Sequence, residues 1–177
     1  MKSDPLKNYT PEKKILIVNG HAILREKLEQ VISEIPDVVV VAEAKNGDEV
    51  ISMINKCALD LVILDIDVPD RNCLEILRKI KSCIPDLPVL ILNMLPEKQY
   101  AGSMLEAGAD GYITMENLAD QMREAIQCIF QGEKYFNASL LKDSRVHQGS
   151  GLFHEATGKK KDDFHKPLVK KGAMHEF

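Results

Sequence analysis

The chain has 177 residues, enough for one domain and a remainder. Hydrophobic residues make up 45%, sufficient for a core, and 28% charged residues suit a solvated surface. No apolar run approaches the ~20 residues that cross a bilayer, and Met1–Thr10 has no apolar signal core, so a cytoplasmic protein without a membrane partner is expected.

The net charge of −4 is unevenly spread. Residues 1–141 carry 15 Lys/Arg and 22 Asp/Glu, a balance of −7, while residues 142–177 carry 8 and 5, a balance of +3. The acidic part repels nucleic acid; only the tail would attract it. Four cysteines (Cys57, Cys73, Cys83, Cys128) stand far apart without C-x-x-C spacing, which predicts reduced, partly buried thiols rather than a metal site or disulfide framework.

From Lys13 to Gly132 short apolar runs alternate with amphipathic stretches. The runs are Ile15–Val18 (β1), Val38–Ala42 (β2), Leu61–Leu64 (β3), Val89–Leu92 (β4) and Gly111–Ile113 (β5), short enough to be strands buried on both faces. Between them, helices are predicted over His21–Ile35 (α1), Asp48–Cys57 (α2), Cys73–Ile84 (α3), Glu97–Ala107 (α4) and Leu118–Phe130 (α5). In α1, Leu24, Leu28, Val31, Ile32 and Ile35 share a stripe, and in α2 Val50, Ile51 and Ile54 do. Breakers such as Pro36-Asp37, Asn46-Gly47, Pro85-Asp86 and Gly108 fall between the elements. Five βα units predict an α/β fold: a doubly wound, five-stranded parallel sheet with helices on both faces. Beyond Gly132 the periodicity fails. The tail holds His147, His154, His165 and His175, too widely spaced for a metal pattern, and the run Lys159–Lys161 diluted by Asp162-Asp163.

In such a sheet ligands meet the carboxyl ends of the strands. Those ends are Asn19-Gly20 after the first, Asp65 on the third, Asn93 on the fourth, and Thr114-Met115 after the fifth. The stretch Leu61-Val62-Ile63-Leu64-Asp65-Ile66-Asp67-Val68-Pro69 resembles the phosphoacceptor strand and loop of response-regulator receiver domains. With Ile15–Val18, Ala107-Gly108-Ala109-Asp110-Gly111-Tyr112 and Gly132-Glu133-Lys134-Tyr135 in register, the chain is similar to the NarL/FixJ-type branch of that family. The resemblance implies a flavodoxin/CheY-like (βα)5 fold of strand order 2-1-3-4-5. It also implies a two-component phosphorelay in which a histidine kinase phosphorylates an aspartate, commonly with a LuxR-type helix-turn-helix output.

Carried over residue by residue, the phosphoacceptor is Asp65. The family's acidic pair falls on Asn19 and Gly20, its Ser/Thr on Asn93 and its lysine on Met115. Mg²⁺ takes oxygen ligands, commonly carboxylates with water, and phosphoryl transfer needs fixed cations on the equatorial oxygens. Four departures therefore predict a degenerate pseudo-receiver, with no cofactor, and Mg²⁺ only if a residual Asp65–Asp67 site works. Asp67 reads as a solvated loop carboxylate. Tyr112, at the family's aromatic switch position, reads as a half-buried strand-end tyrosine, and His21 as a structural residue.

The expected organisation is a flexible N-terminus (1–12), a receiver-like domain (13–132), a linker remnant (133–141) and a disordered tail (142–177). The tail is too short for a ~60-residue LuxR-type domain and shows no apolar stripes, so sequence-specific DNA binding is not expected. The leading expectation is a non-enzymatic module meeting a protein partner (a histidine kinase, another regulator or itself) through α4–β5–α5 or α1–α5. The alternative is an authentic response regulator phosphorylated on Asp65, with transcription-factor ancestry. A remote one is a haloacid-dehalogenase-like phosphatase, suggested by Asp65-Ile66-Asp67-Val68; there the loop belongs on the first strand, with a later lysine and acidic pair that nothing here matches.

Overall fold

The computed structural model describes residues 12–69, 72–93 and 100–136, with the backbone of 153–155. The elements run β1 (Lys13–Val18), α1 (Ala22–Ser33), β2 (Val38–Ala44), α2 (Gly47–Lys56), β3 (Leu61–Asp65), α3 (Cys73–Cys83), β4 (Val89–Asn93), α4 (Ala101–Glu106), β5 (Gly111–Thr114), α5 (Leu118–Phe130), β6 (Lys134–Phe136) and β7 (Phe153–Glu155). All pair in parallel in one sheet of order β2-β1-β3-β4-β5-β6-β7. The doubly wound fold and the 2-1-3-4-5 order expected from the sequence are present, and two short strands extend the sheet past β5.

Those two strands correct part of the expected organisation. β6 opens the segment read as a linker, and β7 lies within the segment read as a disordered tail. The rest of that tail, the missing-output expectation that rests on it, and the N-terminus to residue 11 lie outside the described residues. Three-residue strands carry no readable periodicity. β6 is instead fixed by contacts: Tyr135 N–H donates to Asp110 O (2.9 Å), Lys134 Nζ donates to Ala109 O (2.8 Å), and Tyr135 and Phe136 are buried.

Side-chain alternation along the strands makes two cores. On one face Leu16, Val18, Val62, Leu64, Val89 and Ile91 pack under α2, α3 and α4; on the other Ile15, Ile17, Leu61, Ile63, Leu90 and Leu92 pack under α1 and α5. Each fully buried Leu or Ile contributes about 1.5–3 kcal/mol. In α1, Leu28 and Ile32 are buried while Leu24 and Val31 are partly so; Ile35, read as part of the same stripe, is buried two residues beyond the helix end. Edge strand β2 carries a bulge: Ile15 faces Val40 and Leu16 faces Ala42, leaving Val41 unmatched and exposed. Such a bulge blunts a valine-rich edge against pairing with other chains.

Two helices near the site start on asparagine caps. Asn46 Oδ1 accepts from Asp48 and Glu49 N–H ahead of α2, and Asn72 Oδ1 accepts from Leu74 N–H ahead of α3. The predicted fourth helix is observed only as Ala101–Glu106, its predicted start lying in residues 94–99, outside the described residues.

Candidate functional site

Asn19, Asp65 and Asn93 are brought together at the carboxyl edge of the sheet by the side-by-side strands β1, β3 and β4. All three are buried polar side chains, Asn19 and Asn93 at 0% exposure and Asp65 at 3%. Burial at this depth requires each polar atom to find a partner.

Asn19 satisfies this with both ends of its amide. Its Oδ1 accepts the His21 N–H (2.6 Å), and its Nδ2 donates to Asp65 Oδ2 (2.5 Å). Asp65 Oδ1 accepts the Asp67 N–H at 3.3 Å. Burial raises the Asp65 carboxyl above its ordinary range, and the Asp67 charge adds to that; the Asp67 and Ile66 N–H groups and His21 pull the other way. Asp67 itself is exposed, as read, and serves the site through its backbone. His21 acts likewise: its ring is exposed and its N–H is the working group.

Gly20 leaves a space that the β3–α3 loop fills. A Cβ on Gly20 would lie 2.5 Å and 2.6 Å from Cδ and Cγ of Pro69. The ring of Pro69 thus occupies the volume next to the backbone where a side chain at position 20 would begin.

Asn93 faces away from Asp65's acceptor role. Its Nδ2 donates to the Tyr112 hydroxyl at 2.6 Å, and Tyr112 is only 2% exposed. This corrects the half-buried expectation: a phenol is buried here because an internal amide meets its hydroxyl. Met115, after β5, packs partly buried against the α1–α5 core, and its N–H donates to Asn93 O (3.2 Å). Gln121 braces that turn, with Nε2 donating to Glu116 O and Oε1 accepting from Thr114 N–H.

Two participants were not legible in the sequence. Arg25 is 8% exposed; its Nη1 donates to Asn19 O (3.0 Å) and its Nε to Glu43 Oε2 (2.8 Å), locking the end of β1 to β2. An arginine in a helix gives no periodic signal of burial. Cys73 is buried beneath the site, its thiol pushed up to about 12 by burial, with Asp65 and Asp67 adding to the shift.

The donor set does not fit a magnesium ion. A hard dication needs converging oxygens, whereas an amide N–H points at Asp65, the Asn19 oxygen is engaged by the His21 N–H, and Gly20 brings no side chain. Among the described residues no three His, Cys, Asp or Glu side chains form a metal-holding group.

The family model "Response regulator receiver domain" matches residues 15–127. The chain belongs to the response-regulator receiver family. It is 29% identical to the transcriptional regulatory protein DegU of Brevibacillus brevis over 160 residues, covering 87% of this chain and 67% of that protein. It is 27% identical to the response regulator GacA of Pseudomonas aeruginosa, covering 72% of this chain and 59% of that protein. Among solved structures, a LuxR-family two-component response regulator from Aurantimonas sp. SI85-9A1 superposes with a TM-score of 0.69 at 27% identity, covering 74% of this chain and 94% of that one. The matched part of this receiver thus spans roughly three-fifths to two-thirds of such curated relatives. These relatives are regulators rather than enzymes by their descriptions, which leaves the phosphatase alternative without support. DegU's description as transcriptional also lends no support to the expected lack of DNA binding. No helix among the described residues is long and apolar enough to cross a membrane.

Proposed function

We infer that this receiver works as a phosphate-independent signalling module, exchanging information through protein contacts rather than through phosphorylation of Asp65. The carrying observation is the Asn19 amide, which donates to Asp65 where a cation would otherwise be needed. Phosphoryl transfer to a carboxylate brings more negative charge to a site where, among the described residues, Asp65 has no lysine or arginine bonded to it, its side-chain partners being the Asn19 amide and the Asp67 N–H. Asn93 and Met115 offer no cation either, and the Asn93–Tyr112 bond holds the tyrosine inward without any phosphoryl group. Its contact surface is the α4–β5–α5 or the α1–α5 face, the partner being a histidine kinase, another regulator or a second copy. Among the described residues Ile23, 84% exposed on α1, is the most exposed large apolar side chain.

The second reading is an authentic response regulator phosphorylated on Asp65. The descriptions of DegU and GacA favour it, and so does the acceptor itself, which is retained at the carboxyl end of β3. Calorimetric titration with Mg²⁺ separates the two. The module reading expects no saturable binding in the millimolar range; a saturable isotherm lost in Asp65→Asn would contradict it and favour the second reading.

A further inference from the structure

Asn19-Gly20 is one of two Asn-Gly pairs among the described residues, the other being Asn46-Gly47. Asparagine before glycine is the sequence most prone to spontaneous deamidation, because the following backbone nitrogen is unhindered by a Cβ. The surroundings of the two pairs differ. Gly20 lies half-buried in a bend outside every helix and strand. Gly47 is the first residue of α2, and the Asn46 oxygen holds two N–H groups of that helix's first turn.

We propose that Asn19-Gly20 is a self-modification site, at which loss of ammonia from the Asn19 side chain places a second carboxylate against Asp65. The Gly20 nitrogen, losing its proton to solvent base, bonds to Cγ of Asn19. The Cγ–Nδ2 bond breaks and ammonia leaves, giving a five-membered succinimide. Water then opens the ring: cleavage of the Cγ–N bond gives aspartate, and cleavage at the main-chain carbonyl gives isoaspartate. The negative charge that builds on Oδ1 during ring closure is met by the His21 N–H, already 2.6 Å away, a pre-placed donor of the kind that lowers such barriers. Asn19 itself is buried, and the neighbours that meet solvent are half-buried Gly20 and exposed His21. At position 46 ring closure would release two N–H groups of the first turn of α2, against one at position 19, and Gly47 is buried where Gly20 is half-buried.

The consequence follows from one distance. Asn19 Nδ2 is 2.5 Å from Asp65 Oδ2, so an aspartate in this pose sets two carboxylates in contact. Two such charges repel unless a proton or a cation lies between them. Conversion would thus replace a hydrogen-bonded pair by a cation-seeking one. That consequence rests on the reading of the Asn19 amide given above; the chemistry at Gly20 does not.

The test is a time course on the freshly prepared, folded full chain, warmed at mildly alkaline pH and digested with trypsin. The peptide Ile15–Arg25 should accumulate forms one mass unit heavier, resolved as aspartate and isoaspartate, severalfold ahead of the peptide Asn46–Lys56. An unchanged Ile15–Arg25 peptide in samples whose Asn46 has converted would overturn the site. Asn19→Asp, the product made directly, should show a lowered unfolding midpoint that Mg²⁺ restores, with no Mg²⁺ effect on the starting protein. A midpoint indifferent to Mg²⁺ in Asn19→Asp would overturn the consequence. Neither result depends on whether fresh protein accepts phosphate, so failure here is distinguishable from failure of the module reading.

Discussion

At the scale of single residues the site is governed by what Asp65 touches. A carboxyl held above its ordinary value binds its proton more tightly folded than unfolded. Its stability contribution is therefore fully present below the unfolded carboxylate value of about 3.9 and is lost as pH rises through the raised folded value. Asp65→Asn removes the buried charge, so the variant should be more stable than the parent at neutral pH, the difference closing as pH falls below the carboxylate range. Urea denaturation of both proteins across that range checks it; a variant less stable at neutral pH would show that the Asn19 and Asp67 bonds outweigh the burial cost. Gly20→Ala should destabilise by about 1–3 kcal/mol, since its Cβ meets a proline ring that cannot swing away. The same denaturation measurement reads it, and relief by Pro69→Ala in the double variant would assign the loss to that contact. Asp65, Asn19, Gly20, Asn93 and Met115 were all legible as strand-end positions. Their partners were not: pairing of Asn93 with Tyr112, or of Arg25 with the Asn19 carbonyl, depends on rotamers and inter-strand distance that spacing does not encode.

At the scale of elements, long periodic segments were readable and short ones were not. The strands β1 to β5 announced themselves as apolar runs because both their faces are buried, and α1 and α2 through their stripes. β6 escaped notice because a strand of Lys134-Tyr135-Phe136 is defined by what it meets. Asp110 shows how: its carboxylate accepts from Lys81 Nζ (2.7 Å) and the Val89 N–H (2.9 Å), and lies 3.9 Å from Lys134 Nζ, tying α3, β4 and β6 to the start of β5. Burial lowers the Lys134 ammonium from its ordinary value, with Asp110 opposing and Lys81 assisting. The α2 cap is the simplest element to test. Asn46→Ala leaves the Asp48 and Glu49 N–H groups without their acceptor and should cost about 1 kcal/mol, read as a lowered denaturation midpoint at unchanged slope. Asn46→Asp should retain most of the stability, because a carboxylate caps as well as an amide.

At the scale of the molecule, the parallel sheet gathers four strand ends at one edge, where the proposed reading places a receiver's phosphorylation centre. The residues at those ends are one carboxylate, Asp65, with the amides Asn19 and Asn93, the glycine Gly20 and the thioether Met115. The strongly acidic body, −7 over residues 1–141, adds no neutralising field to that centre. The most direct test is the intact mass of freshly prepared protein after incubation with acetyl phosphate and Mg²⁺, beside an Asp65→Asn control. A phosphate-independent module keeps its mass in both samples. A gain of one phosphoryl group in the parent, absent from the control, would contradict it and make Asp65 a working acceptor.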